Sequence, residues 1–159
     1  MMEYDLTAKE REIAERLCDH PLLKGTSVPE GLLFWSAKLL ALVDGNDPRV
    51  AGLYKVVRDC LYSQTSVNMF AQYAFVETAD AMGPEEARTW ERWQSAYMRN
   101  VSDARHSAYQ AADIAASILG VPIDTNALAL KGSVPAHSTE MILEAAYHAL
   151  TSEIQAPGL

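Results

Sequence analysis

The sequence lacks an apolar run of the ~18–20 residues that a membrane-spanning helix requires. The longest candidate, Leu32 to Val43, is about three helical turns long and contains Lys38. The N-terminal residues include Glu3 and Asp5 where a secretory signal would be basic, and no apolar segment follows them. These absences predict a soluble, cytoplasmic protein without a membrane partner.

The sequence also has few cysteines, and few bases in its C-terminal third. Cys18 and Cys60 are its 2 cysteines, and without a secretory signal we expect buried thiols rather than a disulfide. After Arg105 the only Lys or Arg is Lys131, and the whole chain is acidic, with a formal net charge of −8. Because nucleic-acid phosphates would repel such a chain, we expect no nucleic-acid partner.

What the sequence does contain is helical periodicity on both sides of Gly83-Pro84. Before this dipeptide, one face recurs in steps of three and four residues, at Val50, Leu53, Val57, Cys60, Gln64, Val67, Ala71, Ala74, Thr78 and Ala81. After it, the same spacing connects Tyr97, Val101, Ala104, Ala108, Ala111, Ala115 and Ile118. This spacing is typical of helices that pack against another helix, and Gly83-Pro84 favours a turn between them. The pattern predicts a long antiparallel helical hairpin over residues 48–119.

Shorter helical patterns flank the hairpin. Thr7-Ala8-Lys9-Glu10 matches a capping box at the start of a first helix, and Pro29 begins a second helix that is apolar nearly all round. A brief helix is predicted over residues 126–130. The last helix should run from about Ser138 to Ile154, with inward residues Met141, Ile142, Ala145, Ala149 and Leu150. The predicted fold is therefore all-α: a bundle of about five helices in a single domain, residues 1–159.

The predicted hairpin carries polar residues near its middle. Residues 63–68 are mostly poor helix formers, and they predict a kink, a buried polar layer that sets the helix register, or a binding site. If residues facing each other across the turn sum to about 166, twice the number of Gly83, this stretch lies opposite residues 98–102. The resulting candidate ligand-binding residues are Gln64, Asn68, Arg99, Asp103 and His106. In the competing interpretation Gln64 is paired inside the bundle, while Arg99, Asp103 and His106 face water.

The sequence also contains residue types that occur in two kinds of reactive site. The same register places Cys60 opposite His106, as a thiol and a base would be, although it fixes no acid that would orient the histidine. Carboxylate-bridged metal sites in helical bundles use Glu-x-x-His pairs, and this sequence has none. The remaining pairs on one helical face are Glu77/Asp80, Asp103/His106 and Glu144/His148. We therefore predict no metal site and no cofactor.

A second group of candidate residues lies early in the second hairpin helix. Arg88 and Arg92 are one turn apart, and Trp90 and Trp93 lie between and beside them. Arginine recognises carboxylates well, and tryptophan and arginine are enriched at protein interfaces. These four residues are candidates for partner binding. In the competing interpretation they form a salt-bridged solvent face with aromatic residues covered by other helices.

The sequence carries no phosphate-binding loop, nucleophile elbow, zinc spacing or dinucleotide fingerprint. This favours a non-enzymatic helical interaction protein of the adaptor, regulatory or toxin-neutralising type. We expect it to self-associate, for example as a homodimer, and to bind a protein partner. The alternative is a small-molecule or metal-binding helical bundle, with or without catalytic activity, that uses the polar residues in the middle of the hairpin.

Overall fold

A computed structural model of the chain describes residues 5–25, 28–80, 84–123 and 139–155. For residues 68–90, 153–155, Trp93, Gln94, Ala96 and Tyr97, no side chain is described. Within these ranges the chain forms five α-helices and no strand. They are α1 (Ala8–Cys18), α2 (Glu30–Val43), α3 (Arg49–Asp80), α4 (Pro84–Leu119) and α5 (Thr139–Gln155). The predicted all-α bundle is confirmed.

Local sequence signals set where several of these helices begin. The Thr7 hydroxyl accepts a hydrogen bond from the Glu10 N–H at 3.1 Å, and the Glu10 carboxylate accepts one from the Thr7 N–H at 3.0 Å. This is the capping box that the sequence predicts. At the start of α3, Asp47 Oδ1 accepts a hydrogen bond from the Arg49 N–H at 2.8 Å. In both places a side chain satisfies a backbone donor that the helix leaves unpaired.

Gly120 ends α4 in the left-handed conformation, with a φ of +68°. Its N–H donates to the Ser117 carbonyl at 3.3 Å, and the Val121 N–H donates to the Ala116 carbonyl at 3.0 Å. These two bonds form a Schellman motif, which satisfies the last carbonyls of the helix. Glycine adopts this conformation without the steric cost that a Cβ would add.

The most extensive helix contact in the described chain is between α3 and α4. Leu53, Val57 and Cys60 of α3 are fully buried, and so are the small residues Ala104, Ala108, Ala111 and Ala115 of α4. The Cys60 thiol contacts the Ala104 carbonyl at 3.5 Å, while Arg49 reaches the Ser117 hydroxyl at 3.0 Å. The helices therefore run antiparallel over this part, with paired numbers that sum to 164 and 166. The predicted turn at residues 81–83 lies outside the described residues.

α2 lies at the centre of the bundle. It contacts each of the other four helices, as expected for a helix that is apolar nearly all round. Its buried apolar residues are Leu32, Phe34, Ala37, Leu39, Leu40 and Val43. Lys38 of α2 forms an ion pair with Glu10 of α1 at 3.2 Å, and this pair joins the first helix to the core.

α5 packs against α2 and α4 with most of the predicted face. Ile142, Leu143 and Leu150 are buried, whereas Met141 is 48% exposed, so the prediction that Met141 points inward is wrong. Apolar residues occur at most positions from 141 to 146, and this leaves the helical phase undetermined by the sequence. Packing against α2 selects the face.

The short helix predicted over residues 126–130 lies outside the described residues. Among the described helices, none combines the length and the apolar character needed to cross a bilayer.

Candidate functional site

The polar residues of α3 are paired within the bundle. Gln64 Oε1 accepts a hydrogen bond from the Thr139 hydroxyl at 2.9 Å, which ties the middle of α3 to the first residue of α5. Thr65 donates to the Leu61 carbonyl at 2.7 Å, and α3 is helical through the whole polar stretch. Gln64 therefore contributes to the assembly of helices α3 and α5.

The charged residues predicted on α4 do not point towards Gln64. Arg99, Asp103 and His106 are exposed, and their spacing of four and three residues places them on one outward face. The contact with α3 is made by Ala104 and the alanines that follow it on the same face. The structure thus does not bring these three residues together with Gln64. The side chain of Asn68 lies outside the described residues.

Cys60 and His106 are not placed to act together. Cys60 is fully buried against α4, while His106 is exposed on the outer side of that helix. Burial, assisted by the nearby charge of Asp59, raises the pKa of the Cys60 thiol to about 12. Because the thiolate is the nucleophilic form, the thiol at neutral pH is inert.

No group of three or more His, Cys, Asp or Glu side chains in the described part of the chain is placed to hold a metal ion. Of the four residues predicted to bind a partner, Arg92 is exposed. The side chains of Arg88, Trp90 and Trp93 lie outside the described residues, so their role stays a prediction.

An open groove along α4 was not predicted from the sequence. It has a volume of about 410 Å³ and is lined by Met98, Val101, Ser102, Arg105, His106 and Tyr109, and we call it the α4 groove. Met98 is 57% exposed, the highest value among the large hydrophobic residues described. Val101, Arg105 and Tyr109 are half-buried. The groove therefore combines apolar and cationic surface.

The α4 groove continues a face of α4 that is covered further along. Arg105, Tyr109, Ala112 and Ala116 follow helical spacing, and the two alanines are buried. Ala112 packs against Ala146 of α5, and Tyr109 packs against this pair. α5 therefore covers the C-terminal part of the face, while Met98 remains exposed to solvent.

Arg105, which lines the α4 groove, and the nearby Arg99 have no ion-pair partner among the described residues. The ion pairs found there are Lys9–Asp44, Lys38–Glu10 and Arg49–Asp47, and none involves Arg99 or Arg105. Arg49 shows the contrast. Its guanidinium donates to both Asp47 oxygens, at 2.7 and 3.0 Å, and these hydrogen bonds lower the pKa of Asp47 to about 2. Arg49 is thus already paired, whereas Arg105 has no ion pair with a described residue.

A second exposed feature is an aromatic cluster formed by α2 and α5. The Trp35 ring lies 4.8 Å from that of Phe34, 5.7 Å from Tyr147 and 5.3 Å from His148, measured between centroids. Trp35 and Tyr147 are half-buried and His148 is exposed. Met141 lies seven residues before His148, on the same face of α5. We call Trp35, Tyr147, His148 and Met141 the aromatic patch.

Comparison of the chain with protein-family models, with curated proteins and with solved structures finds no match.

Proposed function

We propose that this chain is a helical interaction protein that binds a protein partner through the α4 groove. The observation that carries the proposal is that Met98 is 57% exposed beside a half-buried arginine without an ion-pair partner among the described residues. Exposed apolar surface that includes methionine, arginine and tyrosine is characteristic of protein interfaces. A partner helix on Met98 would extend the cover that α5 provides at Ala112.

The proposal includes self-association, with the aromatic patch as the contact between copies. The side chains of Trp35, Tyr147 and Met141 carry no formal charge, and Glu144 lies between Met141 and His148 on the same face of α5. A symmetric contact places the same patch of two copies together, and this suits an uncharged surface better than a cationic one. Aromatic side chains also provide a large contact area.

The small-molecule or metal-binding alternative has less support. Gln64 is hydrogen-bonded to Thr139, while Arg99, Asp103 and His106 face outward from α4. A pocket made by these residues would require α3 and α4 to rotate out of their alanine-lined contact. We therefore propose the interaction role alone.

Two exposed methionines provide matched variants for the test. Met98→Asp introduces a charge into the α4 groove, and Met141→Asp introduces the same charge into the aromatic patch. Because Met98 is 57% and Met141 48% exposed, each variant should keep its free energy of unfolding within ~0.5 kcal/mol of wild type. Circular dichroism and urea unfolding would check this.

The expected results are opposite for the two variants. Tagged Met98→Asp should lose the partner that wild type captures from native lysate but keep its mass by light scattering. Met141→Asp should retain the partner and dissociate to a monomer. If both variants capture the same partner as wild type, the α4 groove is not its binding surface, and the proposal is wrong.

A further inference from the structure

We infer that the α4 groove accepts an acidic amphipathic helix, a segment with an apolar stripe flanked by Asp and Glu. This inference rests on the proposed function and names the chemistry of the partner. Two features of the described residues support it: the shape of the groove and its charge.

The shape of the α4 groove suits a helix. Met98, Val101, Arg105 and Tyr109 follow each other in steps of three and four residues along α4. At 1.5 Å per residue, the row is about 16 Å long, or three turns. A helix that lies along it would present residues i, i+3 or i+4, and i+7 to Met98 and Val101, the arrangement in which amphipathic helices bind apolar grooves.

The charge of the groove suits an acidic ligand. Arg105 and His106 line it, and Arg99 lies seven residues before His106 on the same face of α4. Arg105 is half-buried, so it has already lost part of its hydration. A carboxylate placed beside it can form a bidentate pair with the guanidinium. Asp103 shares the face of Arg99 and His106, whereas Arg105 lies on another face of α4, so the acidic ligand is assigned to Arg105.

The same charges argue against a second copy of the chain as the occupant. A two-fold contact through the groove would bring Arg105 of one copy towards Arg105 of the other. Like charges across an interface cost binding energy. A different, locally acidic protein segment is therefore the complementary occupant.

The experiment is photo-crosslinking from position 98 in the full-length chain. A benzophenone amino acid replaces Met98, and mass spectrometry identifies the peptide crosslinked to it in native lysate. We expect a segment of another protein with apolar residues at helical spacing and Asp or Glu on both sides. A crosslinked segment without acidic residues, or one from a second copy, overturns the inference and leaves the α4 groove as a binding surface. The absence of any specific crosslink contradicts the proposed function as well.

A synthetic peptide of the crosslinked segment then tests the role of Arg105 by fluorescence anisotropy. Arg105→Glu should raise the Kd at least tenfold, and Arg105→Lys should raise it less. Lys55→Glu changes the net charge equally at an exposed position of α3 and should leave the Kd within about twofold. The Kd of wild type should rise with salt. Equal effects of Arg105→Glu and Lys55→Glu would show that only overall charge matters, which overturns the inference.

Discussion

One face of α4 has two different environments along its length. Ala112 and Ala116 are buried under the neighbouring helices, whereas Met98, on the same face, is 57% exposed. The covered part has small side chains that let another backbone come close, and the exposed part has Met98, Arg105 and Tyr109. The comparison shows that a continuous helical pattern can serve the core in one half and remain available to a partner in the other.

The largest expected effect tests how tightly the covered part of α4 is packed. Ala108 is fully buried between α3 and α4, and Ala108→Leu adds volume where neither backbone has room to move. We expect a loss of about 3 kcal/mol in the free energy of unfolding, measured with urea. Val101→Leu, in the half-buried part of α4, should change it by less than ~0.5 kcal/mol. Equal losses would mean that both parts are packed alike.

An intermediate effect compares a cation that is paired inside the bundle with the arginine of the α4 groove. Lys38 and Glu10 are paired at 3.2 Å, with side chains 19% and 10% exposed. Lys38→Met should therefore cost about 2 kcal/mol at pH 7, because it leaves a mostly buried carboxylate unpaired. Arg105→Met removes an arginine without an ion pair among the described residues, and should change stability by less than ~0.5 kcal/mol. Urea unfolding of both variants distinguishes a cation that stabilises the fold from one that does not.

The cost of Lys38→Met should depend on pH. Burial raises the pKa of Glu10, but hydrogen bonds from Thr7 and the Lys38 ammonium outweigh it and lower the pKa below its ordinary value. The ionised pair therefore stabilises the fold fully above the unfolded pKa of ~4.3, and less as the pH falls through the lowered folded value. The difference between wild type and Lys38→Met should narrow in that range. A difference that does not change with pH would contradict this account.

The smallest expected effect concerns the hydrogen bond between Gln64 and Thr139, at 2.9 Å. Gln64→Leu and Thr139→Val should each cost about 1 kcal/mol, and the double variant should cost less than their sum. Urea unfolding of the four proteins gives the coupling energy. If Gln64→Leu instead leaves stability unchanged or raises it, the glutamine is not a structural contact, and the ligand-binding interpretation regains support.

Local signals in the sequence were sufficient for the helices and several of their ends. Thr7 and Glu10 form the predicted capping box, and α4 ends at Leu119, the last residue of the predicted hairpin. These features depend on residues within four positions of each other, so neighbouring side chains and backbone groups decide them. The inward face of α5 was predicted wrongly at Met141, because apolar residues surround the first turns of that helix.

The candidate sites depended more strongly on tertiary contacts. Gln64 was predicted either as a ligand-binding residue or as one paired inside the bundle, and its contact with Thr139 spans 75 positions of the chain. The helical period of a sequence cannot reveal a hydrogen-bond partner that is so distant along the chain. The α4 groove was also missed. Met98 and Ala112 lie on one helical face, and the sequence pattern does not reveal that α5 covers Ala112 and leaves Met98 exposed.

The sequence by itself determined that this chain is helical, where the first helix is capped, where α4 ends and that Val57, Cys60 and Ala104 belong to the contact between α3 and α4. Each of these follows from backbone hydrogen bonding or from the 3.6-residue period of a helix. Only the tertiary structure decided that Gln64 is bonded to α5, that Cys60 is too buried to react, and that Met98 is exposed. These properties depend on which distant helix covers a given face, and a side chain's chemistry changes with that cover.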